Sequence, residues 1–167
     1  VLPRLQRLFL VVAVSGVVVE GMLRIWVDDE LEGHAGFGQG GPMVCLAATR
    51  DFETFDRKGV LQSPEDKDAA LFPVRFGGRW ALIHRPAPSS PNYGAHMWLS
   101  WSPDLVHWGR HRHVMAPIPL TWESTKIGAG PTPIETDDGW LVLHHGVLTS
   151  CNGFVYSMGA ALLDLDE

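Results

Sequence analysis

The sequence predicts an all-β chain built of propeller blades, from three observations. Turn signals recur at Gly38-Gln39-Gly40-Gly41-Pro42, Gly77-Gly78, Pro88-Ser89-Ser90-Pro91-Asn92, Gly128-Ala129-Gly130-Pro131 and Asp137-Asp138-Gly139, and no segment shows helical amphipathic spacing. With 18 glycines and 12 prolines in 167 residues, long helices are disfavoured, because glycine costs backbone entropy and proline removes a helix donor. The chain also repeats itself, twice over.

Taken in order, the N-terminus comes first. Arg4 and Arg7 precede the apolar run Leu8 to Val14, and Val17 to Val19 follow Ser15-Gly16. That order resembles a secretory leader, but no small-x-small cleavage site follows. The run is also shorter than the ~20 residues of a spanning helix. Val-rich runs favour strands, so two buried strands around a Ser15-Gly16 turn are expected. A chain that begins at Val1 also reads as a piece of a longer one.

The first repeat aligns Val44–Phe55 with Met97–Trp108 at a constant offset, since 104 − 51 = 53 and 108 − 55 = 53. Each copy is an apolar strand, a small polar step, an Asp turn (Asp51, Asp104) and an aromatic four residues later. The aspartate closes its turn by accepting backbone N–H groups, and that structural role is expected for both rather than a catalytic one. The second repeat matches Pro73-x6-Trp80-x3-His84 with Pro133-x6-Trp140-x3-His144, at an offset of 133 − 73 = 60. Each copy is a strand, a glycine-bearing turn and a second strand ending in histidine. Antiparallel modules at this period point to blades, and the chain holds roughly two and a half of them, against about four to eight in a complete ring. The whole of 1–167 therefore reads as one partial propeller domain, with 1–20 atypical.

The bulk properties exclude several classes. A net charge of −6 and a pI near 5.7 argue against a general nucleic-acid binder. At 46% hydrophobic and 19% charged residues the chain folds rather than remaining disordered. No membrane span is expected, and a cytoplasmic location is. Cys45 and Cys151 lack disulfide or zinc spacing and read as reduced core or strand residues. A partial propeller with bare strand edges is expected to associate, making a homo-oligomer a candidate state.

Chemistry concentrates around Asp66-Lys67-Asp68 and His84-Arg85-Pro86. Adjacent strands would bring Lys67, His84 and Arg85 to one place, and clustered cations suit an oxyanion such as phosphate. Carboxylates beside them would bind sugar hydroxyls or move protons. Glu65 and Asp66, as loop acids next to a lysine, are expected to be solvated. His107, His111 and His113 invite a metal reading, and alternation puts His111 and His113 on one strand face, but no third ligand is evident and no metal site is expected. Of the tryptophans Trp98, Trp101, Trp108, Trp122 and Trp140, most belong to the core, and Trp122 is the candidate for a cavity wall.

An ordered set of motifs now resembles one family. It comprises Lys67-Asp68-Ala69-Ala70-Leu71-Phe72-Pro73, His84-Arg85-Pro86, Ser102-Pro103-Asp104-Leu105-x-x-Trp108-Gly109 and Trp122-Glu123-x-x-Lys126-Ile127-Gly128-Ala129-Gly130-Pro131-x-Pro133-Ile134. Asp138-Gly139-Trp140-Leu141, His145-Gly146-Val147 and Tyr156-x-x-Gly159-Ala160-Ala161-Leu162-Leu163-Asp164-Leu165 follow. Over residues 44–165 the chain resembles glycoside hydrolase family 130, the β-mannoside phosphorylases and related mannosidases.

The resemblance implies a five-bladed propeller with a central active site. It implies inverting phosphorolysis of β-mannosides to α-mannose 1-phosphate, with inorganic phosphate as co-substrate and no cofactor or metal. Lys67 and His84 map to the phosphate pocket, with Arg85 either a further donor or a structural charge. His145 maps to the lining of the cavity, Asp68 and Trp122 join it as candidate substrate contacts from their own chemistry, and His144 stands where the family has Tyr. Asp66 stands where the family usually has Asn, adding an anion that would weaken phosphate binding unless it pairs with Lys67 or Arg85. The family's general acid lies in a Glu-Asp-Pro-Arg motif that this sequence lacks, so the catalytic residue is unassigned and the isolated chain is expected to be inactive. A hydrolase of the same family, or a non-catalytic truncated propeller binding glycan or protein, are the other readings.

Overall fold

The structure, a computed structural model, describes residues 9–14, 44–49, 53–54, 56–63, 65–86 and 95–164. Among them there is no helix. Eleven strands follow in order: β1 Phe9–Val14, β2 Val44–Thr49, β3 Asp56–Gln62, β4 Asp66–Phe76, β5 Arg79–Pro86, β6 Met97–Ser102, β7 Gly109–Met115, β8 Lys126–Ala129, β9 Ile134–Thr136, β10 Gly139–Ser150 and β11 Gly153–Leu163.

They form three antiparallel sheets in the orders β1-β2-β3, β4-β5-β6-β7 and β11-β10-β8, with β9 also on β10. β11 pairs with β10 from Trp140 to Ser150, so β8 and β9 share the opposite edge as two segments of one strand position. That makes 3 + 4 + 3 = 10 strand positions, or two and a half four-stranded blades. The two repeats fall on equivalent strands: β2 with β6, and β5 with β10.

Alternation along the strands fills both faces of the middle sheet. Ala70 and Phe72 of β4 and Ala81 and Ile83 of β5 join Met97, Leu99, Ile127, Ala129, Trp140 and Val142 in one core, against the third sheet. Leu71 and Leu82 turn the other way, onto Val44, Leu46 and Leu61 of the first sheet. The first core is knit by edge-to-face aromatics, with Phe72 and Phe76 at 5.2 and 5.6 Å from the Trp140 ring. Such pairs add about 0.5–1.5 kcal/mol beyond the area they bury. Gly77 and Gly78 join β4 to β5 with φ of 52° and 79°, the left-handed pair that lets a two-residue hairpin follow the strand twist.

Several expectations need comment. β1 coincides with the apolar run at Leu8–Val14, while the Ser15-Gly16 turn, the second N-terminal strand, Asp51 and the turns at Gly38–Pro42 and Pro88–Asn92 lie outside the described residues. Asp104 closes its turn as expected, accepting the N–H of Val106 at 2.9 Å and of His107 at 2.8 Å. Those bonds, with the His107 side chain, hold its carboxyl well below the usual carboxylate range. Trp108 packs back onto the sheet beside Leu105. Cys45 is on β2, but Cys151 is exposed at the β10–β11 turn rather than in the core or on a strand. His144 does not end its strand, because β11 pairs with β10 as far as Ser150.

Candidate functional site

The site grows from a defect in the pairing of β4 with β5. Asp66 opposes Pro86 and Lys67 opposes Arg85, and pairing resumes at Ala70 with Ile83. Asp68 and Ala69 are left against His84 alone, a bulge. Asp68 takes φ +51° there, a conformation aspartate tolerates better than most side chains. Regular alternation would aim Asp66 and Asp68 the same way. The bulge separates them instead.

Asp66 is bound to His84. His84 Nδ1 lies 2.6 Å from Asp66 Oδ2, and the Arg85 N–H donates to Asp66 Oδ1 at 3.2 Å. Asp66 is only 3% exposed and His84 2%, so the solvated loop acid expected at position 66 is a buried carboxylate at the start of a strand. Its partner is neither the Lys67 nor the Arg85 side chain. Burial compels this, since a buried carboxylate without donors costs several kcal/mol, on the order of a broken buried pair.

Asp68 turns to Arg85 and His145. Arg85 Nη2 is 2.5 Å from Asp68 Oδ2, and His145 Nε2 of β10 is 3.4 Å from the same oxygen. Burial works to raise the Asp68 pKa, but it is outweighed by the facing His145 ring and the charges of Arg85 and Lys67. The carboxyl therefore titrates below the ordinary aspartate range. Gly128 of β8 permits this approach: a Cβ there would stand 2.4 Å from Asp68 Oδ2 and 2.7 Å from His145 Cε1.

The six residues named from the sequence thus separate. Lys67, Asp68, Arg85 and His145 gather where β4 meets β8 and β10. His84, next to Arg85 on a strand, faces the opposite way by alternation, with its ring edge-on to His111 of β7 at 5.6 Å. Trp122 lies in the segment before β8. It is 39% exposed and stacks on His144 with ring centroids 5.7 Å apart. Its indole sits over Gly146 and Gly159, where an added Cβ would meet it at 2.3 and 2.6 Å.

Residues without a role in the sequence reading also emerge. Glu123 is buried, its Oε2 4.0 Å from His144 Nδ1, too far for a hydrogen bond. Its adjacency to Trp122 ahead of Lys126-Ile127-Gly128 was the available signal. Lys126 lies over the Phe154 and Tyr156 rings at 4.4 and 5.6 Å, and Tyr156 lies 6.0 Å from His145. Gly128, Gly146 and Gly159 were readable only as turn or strand glycines, because what they make room for comes from other strands. Among the described residues no group of three or more His, Cys, Asp or Glu is arranged to hold a metal ion. His113 instead meets His96, at 3.0 Å. Among those residues no helix is long and apolar enough to cross a membrane.

The three antiparallel sheets are blades of a β-propeller. Residues 34–167 match the family model described as beta-1,4-mannooligosaccharide phosphorylase, and the chain belongs to that family, glycoside hydrolase family 130, which is five-bladed. It is 48% identical over 126 residues to a beta-1,4-mannooligosaccharide phosphorylase of Ruminococcus albus, covering 75% of this chain and 37% of the relative. It is 41% identical over 123 residues to a beta-1,2-mannobiose phosphorylase of Listeria innocua, covering 74% and 34%. The solved Listeria innocua beta-1,2-mannobiose phosphorylase, in complex with beta-1,2-mannobiose, superposes with a TM-score of 0.69 at 38% identity, over 76% of this chain and 35% of that one. The chain thus spans between a third and two fifths of the length of these relatives.

Proposed function

We propose that the chain carries the phosphate-facing and part of the sugar-facing side of an inverting β-mannoside phosphorylase site. The reaction is transfer of a mannosyl group from a β-mannoside to inorganic phosphate, giving α-mannose 1-phosphate. Phosphate takes the place of the water used by an inverting hydrolase. It arrives already anionic, so the site must hold it against C1 rather than deprotonate it, and fixed cations do that.

The observation that carries the reading is the gathering of Lys67, Arg85, Asp68 and His145 at the bulge. Lys67 is half-buried and stands directly across from Arg85, which suits an anion within reach of both. Asp68, kept ionised by its neighbours, accepts from sugar hydroxyls. Trp122, held flat over two glycines, offers an aromatic face to a sugar ring. His84, buried on the opposite face of β5 and bound to Asp66, stands apart from this cluster, and no general acid is assigned within this chain. The substrate proposed is a β-1,4-linked mannoside, following the Ruminococcus albus relative.

The test is phosphate-dependent release of mannose 1-phosphate from β-1,4-mannobiose by the full protein, with β-1,2-mannobiose in parallel. Phosphorolysis of the 1,4-linked sugar is expected. Equal turnover with and without phosphate would overturn the phosphorylase reading in favour of hydrolysis. Turnover of the 1,2-linked sugar alone would overturn the linkage.

A further inference from the structure

We propose that His96 and His113 form a two-histidine site for divalent copper or nickel, apart from the cluster at the β4 bulge. The sequence groups His113 with His107 and His111. The fold breaks that group, because His107 Nδ1 lies 2.8 Å from the Asp104 carboxylate and the His111 ring stands edge-on to His84. It brings in His96 instead, from the position just before β6.

Two ring nitrogens meet at one point of the surface. His96 Nδ1 lies 3.0 Å from His113 Nε2. Alternation sets His96 on the face of Trp98, which lies across from His113. The Trp98 ring closes one side of the pair, edge-on to His113 at 5.6 Å. The backbone on either side of His96 is held. The Ala95 carbonyl accepts the Ile127 N–H at 3.3 Å, and Met97 pairs with Met115. Side chains carried on strands held in this way need little ordering when an ion arrives.

The spacing selects the ion. Imidazole nitrogens bind divalent zinc, copper and nickel, at about 2.0–2.1 Å. Two nitrogens 3.0 Å apart then subtend about 94° at the ion. That is the angle between neighbouring ligands of a square-planar or octahedral centre, which copper and nickel favour. The tetrahedral angle of zinc would need the nitrogens about 3.3 Å apart. As the pair stands, one ring N–H donates across the gap to the lone pair of the other ring. Moving that hydrogen to the second nitrogen of the same ring frees both lone pairs, with no proton gained or lost. Burial, and then the charge of His113, hold the His96 pKa below the ordinary histidine range, which keeps its ring a neutral ligand in neutral solution. Water completes the shell of the ion, since His113 is exposed.

The test is electron paramagnetic resonance of the full chain with less than one equivalent of Cu2+, followed by competition with Ni2+ and with Zn2+. A copper signal split by two imidazole nitrogens is expected, with nickel displacing the ion more readily than zinc does. His96→Gln and His113→Gln are each expected to remove one nitrogen from the signal. Each should also weaken copper binding at least about ten-fold, the lower end of what losing even an indirect partner of a metal costs. His107→Gln is expected to change neither. A two-nitrogen signal that survives in both variants would mean an adventitious ion only and would overturn the proposal. Zinc competing better than nickel would overturn the choice of ion that the spacing makes. The parent chain also decides alone: in NMR, copper should broaden the ring signals of His96 and His113 before that of His107, and the reverse order would overturn the site.

Discussion

β5 and β10 carry the same spacing of tryptophan and histidine, yet their histidines keep different company. His84 is locked to a carboxylate at 2.6 Å, while His144 faces one at 4.0 Å and spends its ring on Trp122. Their tryptophans differ too. Trp140 is 2% exposed in the aromatic core, whereas Trp80 is half-buried under the Arg75 guanidinium at 4.7 Å. The repeat sets where a side chain stands on its strand. What it does there is decided by residues outside the repeat: Asp66 before one strand, and Glu123 and Trp122 before the other.

The largest effect should come from the tryptophans. Trp140→Ala empties a packed site between Phe72 and Phe76 and is expected to cost about 4 kcal/mol. Trp80→Ala is expected to cost no more than about 2 kcal/mol, since less is removed from water. Urea unfolding of the two variants measures the gap, and equal losses would erase the distinction.

Next come the acids. Asp66→Ala strands a buried histidine and is expected to cost about 3 kcal/mol. Glu123→Ala breaks no hydrogen bond to His144, and about 1 kcal/mol is expected. The same unfolding measurement checks both, and a larger loss at Glu123 would reverse the ranking of the two pairs.

The smallest effect is a pH slope. Asp68 has a folded-state pKa below its unfolded one. Its contribution to stability is therefore complete above the unfolded value of ~3.9 and is lost as pH falls through the folded value. Stability followed from pH 6 towards pH 3 should fall less in Asp68→Asn than in the parent. Parallel slopes would mean that Arg85 and His145 do not hold the charge.

These contrasts also mark what was legible in the sequence. The all-β fold, the two repeats and the blade count were readable, because strand alternation and turn chemistry are local. Asp104 was readable for the same reason, its partners being two and three residues away. Asp66 was not: from its neighbours it looked like a solvated acid, and its partner lies eighteen residues on, across the sheet. Arg85 was visible as a cation, but its ion pair with Asp68 depends on the bulge, which no local pattern announces. Glu123 had no visible partner until β10 was in place.

The unpaired step at Asp68 and Ala69 has one more consequence. Substitution is not the only change this site would feel. Deleting Ala69 would let β4 pair evenly with β5 across this step and turn the second carboxylate toward the first, stranding Arg85 and His145 without altering any residue they touch. Descendants of this sequence that keep every charged residue but lose one residue from this step would thus keep the letters of the site without its geometry.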